Sequence, residues 1–206
     1  DAGGGCGGGG GGDNLDDMSR GEVRALYSQA YRLTGQLKCD AVIQYITVLL
    51  DANERFLLFF HHRHVGDALC AALDAKSSRY IRIDGQTPAA DRSALVERFQ
   101  NDERTRVAVL GITAAGVGLT LTAASTVVFA ELYWSPGALA QAEDRVHRIG
   151  QTHSVNVHYL IARRTLDERI WPLLERKLTT LTKTLDGRGD RVLAAPLRIT
   201  DGDDSH

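Results

Sequence analysis

Short, continuous apolar runs alternate with stretches of helical periodicity along most of the chain. Such runs are typical of strands that a parallel sheet buries on both faces. Phe56–Phe60 is the clearest such run, and the other predicted strands are Tyr80–Ile83, Arg106–Leu110, Thr126–Ala130 and Val155–Ile161. Helical patterns flank them near Lys38–Leu50, Val65–Leu73, Pro88–Gln100, from Pro136 onward and near Leu166–Leu185, with a weaker one at Glu22–Tyr31. Strands that alternate with helices predict an α/β fold with one parallel sheet and right-handed crossovers.

The pattern weakens at both ends of the chain, and this sets the expected domain boundaries. Nine glycines lie among the first twelve residues, so we expect residues 1–19 to form a flexible linker that something precedes in a parent protein. Residues 20–185 are enough for one sizeable core and form the predicted globular domain. Residues 186–206 are rich in glycine and aspartate, and we expect them to be disordered or loosely packed.

Composition and charge bear on whether the protein contacts a membrane, a metal ion or a nucleic acid. No apolar run approaches the roughly 18 residues that cross a bilayer, so no membrane partner is expected. The three cysteines form no C-x-x-C pair, which favours a reducing compartment and argues against a metal site. Residues 20–185 hold 21 Lys and Arg against 17 Asp and Glu. This mildly basic body permits contacts with phosphate, but by itself it does not identify a nucleic-acid partner.

Polar and small residues follow the predicted strands. His61–His64, Asp84 with Gly85, the glycine-rich segment from Gly111 to Gly118, and Glu131 each lie where an apolar run ends. Because parallel strands present their carboxyl ends at one edge, and ligands bind beyond that edge, we expect these residues to lie close together.

The segment Gln141–Gln151 carries the strongest chemical signal. On a helix, Gln141, Arg145 and Arg148 form one polar stripe, and an apolar stripe of Ala142, Val146 and Ile149 lies beside it. Two guanidiniums one turn apart repel each other, so a shared anion is a natural reason to keep them together. The alternative is a solvated helix face with local ion pairs.

The string QAEDRVHRIGQ resembles the last motif of the Swi/Snf-type branch of the superfamily-two helicase-like ATPases. The resemblance implies the C-terminal RecA-like lobe, a parallel sheet sandwiched by helices. It also implies that Arg145 and Arg148 are arginine fingers and that Gln141 faces the nucleotide. ATP and Mg²⁺ would be bound mainly by a first RecA-like lobe elsewhere in the parent chain.

Further segments upstream of this string resemble motifs of the family in the family's order. Gly111–Thr122 resembles the fifth motif, which implies nucleotide contacts for Gly116, Gly118 and Thr120 and a DNA contact for Thr113. Phe56–Arg63 resembles the fourth motif, and Asp84–Thr87 with Arg92 resembles the segment that follows it in the family. Both lie along the nucleic-acid track in the family. The resemblance implies DNA contacts for His61, His62, Arg63, Asp84, Gly85 and Arg92. Glu131 and Trp134 match an acid-x-x-Trp segment, and we expect both to support the structure.

These assignments have alternatives, of which some are plainer and some assign a more specific role. The small residues of the fifth segment could serve tight packing alone, and Asp84 could be a turn residue. His61 and His62 could ligate zinc, although no acidic residue or cysteine at ligand spacing accompanies them. Trp134 could stack on a base.

Two ATPase features are missing from the sequence. It contains no G-x-x-x-x-G-K-[ST] loop and no Asp-Glu pair that closes an apolar strand. In the family both belong to the first lobe, so we expect the isolated chain to be inactive as an ATPase.

Within the family, His61–His62, Phe129–Leu132, Trp134–Gly137 and Ala142–Arg145 are most similar to the annealing-helicase (HepA-related) subfamily. The resemblance implies a DNA-dependent ATPase that works in the nucleus on branched or forked DNA without regard to sequence, in fork remodelling and repair. The alternatives are a nucleosome remodeller of the same family, or a non-enzymatic module that binds DNA or a protein.

Overall fold

In a computed structural model, the described residues are 19–114, 121–135, 137–139, 155–186 and 197–199. The helices within these ranges are α1 (Arg20–Leu37), α2 (Cys39–Asp51), α3 (Arg63–Ala75), α4 (Ala89–Asn101) and α5 (Leu166–Asp186). The strands are β1 (Phe56–Phe60), β2 (Arg79–Ile83), β3 (Thr105–Gly111), β4 (Thr126–Phe129), β5 (Asn156–Ala162) and β6 (Leu197–Ile199). None of the described helices is both long and apolar enough to cross a membrane.

The strands form one parallel sheet in the order β2-β3-β1-β4-β5-β6. The central strand β1 pairs on both sides, with Phe56 opposite Val107 of β3 and opposite Thr126 of β4. All five residues of β1 are buried, because helices cover both faces of a parallel sheet. The predicted α/β, RecA-like architecture is confirmed.

The alternation of side chains along β1 divides the core into two layers. Leu57 and Phe59 belong to a cluster that also contains Tyr31 of α1 and Trp171 of α5. Phe56, Leu58 and Phe60 face the opposite layer, which is completed by α2 and α3. Since successive residues of a strand point to opposite faces, one continuous apolar run serves both layers.

Helix α1 is longer than the Glu22–Tyr31 pattern predicts. It begins with a capping box, in which the Glu22 amide donates to Ser19 Oγ at 3.3 Å and the Ser19 amide donates to Glu22 Oε2 at 2.8 Å. It continues to Leu37 because Tyr31, Thr34 and Gly35 are buried against the rest of the lobe. Tertiary packing therefore extends a helix whose own apolar pattern is weak.

The predicted boundary at residue 185 lies next to the end of α5, at Asp186. Within the C-terminal segment, Leu197–Ile199 pair with β5 in parallel as β6. The rest of that segment and residues 1–18 lie outside the described ranges, so the linker and tail stay predictions.

Candidate functional site

The residues that follow β1, β2, β3 and β4 meet at one edge of the sheet. These four strands are neighbours in the order β2-β3-β1-β4, so their carboxyl ends adjoin. The Ile112 amide donates to the Phe60 carbonyl at 2.9 Å, and the Ala130 amide donates to the Phe59 carbonyl at 2.9 Å. A Cβ placed on Gly111 would lie 3.3 Å from the Cβ of Asp84. The residues that follow these strands are therefore in direct contact at the edge that the sequence predicts.

Glu131 is the central polar residue of this edge. Its carboxylate is buried, with the residue 1% exposed, and it binds the turn that follows β1. Oε2 accepts hydrogen bonds from the amides of His61 at 2.7 Å and His62 at 2.8 Å, and Oε1 lies 2.6 Å from His62 Nδ1. One side chain after β4 therefore fixes both the backbone of the His61–His62 turn and the ring of His62.

These contacts set the electrostatics of the edge. Burial acts to raise the pKa of Glu131, but the hydrogen bonds from the His62 ring and from the His62 and His61 amides outweigh it and hold that pKa below its ordinary value. Burial lowers the pKa of His61, His62 acts in the same direction, and Glu131 opposes them only in part. The site therefore favours a carboxylate at Glu131 and a neutral ring at His61.

Tyr31 of α1 completes this cluster, and its role is not evident from the sequence motifs. Its hydroxyl donates to the Leu132 carbonyl. Its ring stacks on His61 with centroids 5.3 Å apart and meets His62 edge-on at 4.7 Å. Burial, together with the negative charge of Glu131, raises the pKa of Tyr31, so the hydroxyl stays protonated and can donate.

Gly35 brings α1 close to the same carboxylate. A Cβ at this position would lie 2.5 Å from Glu131 Oε1 and 3.2 Å from Val65 Cγ2. The helix can therefore pack against the edge only where its residue has no side chain. Tyr31, Thr34, Gly35 and Lys38 share a helical i, i+3, i+4, i+7 spacing, and this stripe of mostly polar residues is the sequence signal that points to α1.

A buried ion pair lies beside this cluster. Lys38 Nζ is 2.7 Å from Asp167 Oδ2 and also donates to the Leu160 carbonyl at 2.7 Å. The amide of Ala162 donates to the same Asp167 oxygen at 3.1 Å. Both side chains are 1% exposed, so the pair ties the α1–α2 junction to the junction of β5 and α5.

The Asp84 turn is held mainly by its own residues. The Asp84 carboxylate accepts from Arg82 Nε at 2.8 Å and from the Gln86 amide at 2.9 Å. Burial acts to raise the pKa of Asp84, yet these two donors leave it lowered. Arg92 donates to the carbonyls of Thr87 and Asp84, both at 3.2 Å. Asp84 and Arg92 thus shape the turn that presents Gly85.

Three predicted DNA contacts face solvent at this edge. Gly85 and Thr113 are exposed. Arg63 is 66% exposed, and its Nε lies 3.7 Å from Oδ2 of the exposed Asp67. A guanidinium in this state can bind a phosphate oxygen without breaking a buried interaction.

Trp134 is 45% exposed, more than expected for a residue that only supports the structure. Its ring meets Tyr31 edge-on at 5.6 Å and Tyr27 at 6.4 Å. The contacts with α1 orient the indole, and part of its surface remains accessible.

The remaining predicted residues cannot be placed. Gln141, Arg145, Arg148, Gly116, Gly118 and Thr120 lie outside the described residues, so their roles stay predictions. Residues 137–139 are helical, which agrees with a helix that begins near Pro136. In the parts of the chain that the structure describes, no group of three or more His, Cys, Asp or Glu side chains could hold a metal ion.

Comparisons with known proteins agree with the resemblance drawn from the motifs. Residues 37–150 match the family described as "Helicase conserved C-terminal domain". The C-terminal part of the Fun30 ATPase domain, a solved structure, superposes with a TM-score of 0.61 and 32% sequence identity, over 66% of this chain and 44% of that one.

Curated relatives include the SWI/SNF-related matrix-associated actin-dependent regulator of chromatin subfamily A-like protein 1 of Xenopus tropicalis. It is 53% identical over 152 residues, which cover 73% of this chain and 16% of the relative. The DNA annealing helicase and endonuclease ZRANB3 of Mus musculus is 51% identical over 173 residues, which cover 84% of this chain and 16% of the relative. The chain therefore spans about a sixth of the length of these proteins.

Proposed function

This chain belongs to the helicase conserved C-terminal domain family, and we propose that it is the second RecA-like lobe of a DNA-dependent ATPase that translocates on or anneals DNA. The observation that carries the proposal is the joined edge at which the residues after β1, β2, β3 and β4 meet. Glu131 holds the His61–His62 turn there, and exposed Arg63, Gly85 and Thr113 lie around it.

This edge suits a nucleic-acid backbone. It offers a guanidinium, a hydroxyl and an exposed glycine turn on rigid strand ends, a set of groups that recognises phosphate oxygens rather than base edges. Binding of this kind is independent of sequence and weakens as salt rises. Branched or forked DNA is the proposed substrate because relatives are described as DNA annealing helicases.

ATP is the proposed second substrate, and the segment Gln141–Gln151 is proposed to contact it. A first lobe of the parent chain would bind ATP with Mg²⁺, and Arg148 with Arg145 would neutralise charge on the transferring phosphoryl group, while Gln141 orders the nucleotide. Arginine fingers contribute about a thousandfold or more in rate in related phosphoryl transfers. Closure of the two lobes would then shift the Arg63, Gly85 and Thr113 edge along DNA, and the isolated chain would not hydrolyse ATP.

The test compares the parent protein with and without Arg148→Ala, by measuring ATP hydrolysis with and without forked DNA. We expect DNA to stimulate the wild type and the substitution to abolish turnover while ATP binding persists. Arg104→Ala is a matched control, because it removes an exposed guanidinium just before β3, at the opposite edge of the sheet. Equal hydrolysis by wild type and Arg148→Ala would show that Arg148 is not a finger.

Two other outcomes would assign a different function. Relatives are named regulators of chromatin, so a nucleosome remodeller of the same family is the second candidate. Stronger stimulation by nucleosomes than by forked DNA would favour it. DNA or protein binding without any hydrolysis by the wild-type parent would favour a non-enzymatic module. For both candidates, the annealing ATPase and the nucleosome remodeller, we propose that the protein works in the nucleus.

A further inference from the structure

A groove of about 980 Å³ opens between the first half of α1 and the first turns of α5. This volume lies at the upper end of the range for ligand sites in proteins. Its apolar surface includes Tyr27, Trp134 and Leu173, which are 51%, 45% and 58% exposed. Single exposed apolar side chains are common, but several that line one groove form a patch of the kind that marks a binding site.

The rim of the groove is positively charged. Arg20, Arg24 and Arg169 line it, and no Asp or Glu is among the described residues that do so. None of the three arginines forms a salt bridge with a described residue. A cluster of positive charges that no described carboxylate pairs, placed around aromatic rings, attracts a polyanion that also carries flat apolar faces.

The groove is continuous with the edge of the sheet described above. His61 and His62 are among its lining residues, and Tyr31 links them to Trp134 through ring contacts. A ligand in the groove would therefore contact the His61–His62 turn that follows β1.

We propose that this groove binds single-stranded DNA, with bases stacked on Tyr27 and Trp134 and phosphates on Arg20, Arg24 and Arg169. The inference rests on the proposed function and deepens it, because annealing acts on unpaired strands. Single strands expose base faces for stacking, whereas a duplex keeps them inside its own stack. The combination of open rings and an arginine rim thus favours a single strand over a duplex.

The experiment measures binding of a fluorescent oligothymidine to the full-length parent protein by anisotropy, at several salt concentrations. Tyr27→Ser removes a stacking ring, and we expect affinity to fall about tenfold. Arg24→Gln removes one phosphate contact, so the slope of log affinity against log salt should become shallower by about 0.7. Arg32→Gln is the matched control, because Arg32 is exposed on the same helix but does not line the groove.

Photo-crosslinking provides a second, independent test of where the oligonucleotide binds. An oligonucleotide that contains iododeoxyuridine should crosslink to Tyr27 or Trp134, and mass spectrometry would identify the site. Circular dichroism of each variant shows whether the fold is kept. Crosslinks only at other surfaces would overturn the proposal even if a variant failed to fold.

Three outcomes separate this proposal from the proposed function. If the groove variants bind oligothymidine as the wild type does, while forked DNA stimulates the wild-type ATPase, the groove proposal fails and the ATPase stands. If the variants lose duplex and single-stranded binding equally, the groove belongs to a duplex track and the single-strand proposal fails. If an acidic, leucine-containing peptide binds the wild type at this groove and oligothymidine does not, its partner is a protein.

Discussion

The side chains of Lys38 and Asp167 form a 2.7 Å ion pair that water does not reach. A buried pair is costly to break, because removal of one partner leaves the other charge uncompensated. Lys38→Met should therefore lower the free energy of unfolding of the chain by about 3–5 kcal/mol. Urea unfolding followed by circular dichroism would measure the loss. Lys38→Met combined with Asp167→Leu should recover part of it, since no charge then remains buried.

A matched control for this prediction is Lys76→Met. Lys76 is exposed at the end of α3, so its replacement should change the free energy of unfolding by less than about 0.5 kcal/mol. A Lys38→Met loss no larger than that of Lys76→Met would contradict the role assigned to the buried pair.

Gly35→Ala should destabilise the chain although alanine is the better helix former. The new methyl would lie 2.5 Å from Glu131 Oε1, and that oxygen is already held 2.6 Å from His62 Nδ1. We expect a loss of about 1–3 kcal/mol from the resulting displacement. Gly21→Ala, in the same helix, meets only Ser19 Oγ at 3.8 Å and should stabilise by up to about 1 kcal/mol. Thermal unfolding of the two variants compares them; shifts of the same sign would refute the packing argument.

Glu131→Gln tests the buried carboxylate through pH. The folded-state pKa of Glu131 is lowered, so its charge contributes stability above the ordinary value of 4.5, and this contribution is lost as the pH falls through the folded pKa. The free energy of unfolding of the wild type should exceed that of the variant by about 1.5–3 kcal/mol at pH 7, and this gap should close below about pH 4. Burial lowers the pKa of His61 in both proteins, but the Glu131 charge partly opposes this shift only in the wild type, so the gap should widen slightly below pH 6.5 before it closes. Urea titrations from pH 7 to pH 3 would measure the gap; a constant gap would be the contrary result.

Arg63 and Arg92 should affect duplex binding by the parent protein in different ways. Arg63 is exposed, so Arg63→Gln should weaken binding and reduce the salt slope by about 0.9, as expected for one lost phosphate contact. Arg92 holds two carbonyls of the Asp84 turn, so Arg92→Gln should weaken binding with little change in slope. Anisotropy titrations over a salt series distinguish the two. Equal slope changes would assign both arginines to phosphate.

The sequence predicts the sheet better than it predicts the helix that supports the site. The Phe56–Phe60 run is short and continuously apolar, which is typical of a strand covered on both faces, and all five of its residues are buried. In α1 the buried face contains Tyr31, Thr34, Gly35 and Lys38, and a search for apolar periodicity does not find such a face. Its meaning depends on Glu131 and Asp167, which lie more than 90 residues away in the chain.

The candidate site could also be predicted from the sequence only in part. The motifs locate His61, Asp84 and Glu131 at strand ends, and the parallel topology then brings them to one edge. The spacing of residues does not reveal that β4 lies beside β1, which is what places the Glu131 carboxylate under the His61 and His62 amides. Strand order is a property of the assembled sheet, and it decides which polar groups meet.

The central position of β1 has a consequence for how the protein is made. Phe56–Phe60 is synthesised before both of its partners, and its register is complete only with Val107 and Thr126. During translation this apolar segment therefore stays unpaired until β3 has left the ribosome, and one of its sides stays unpaired until β4 follows. Chains that stop before β3 would present it to solvent as an aggregation-prone strand.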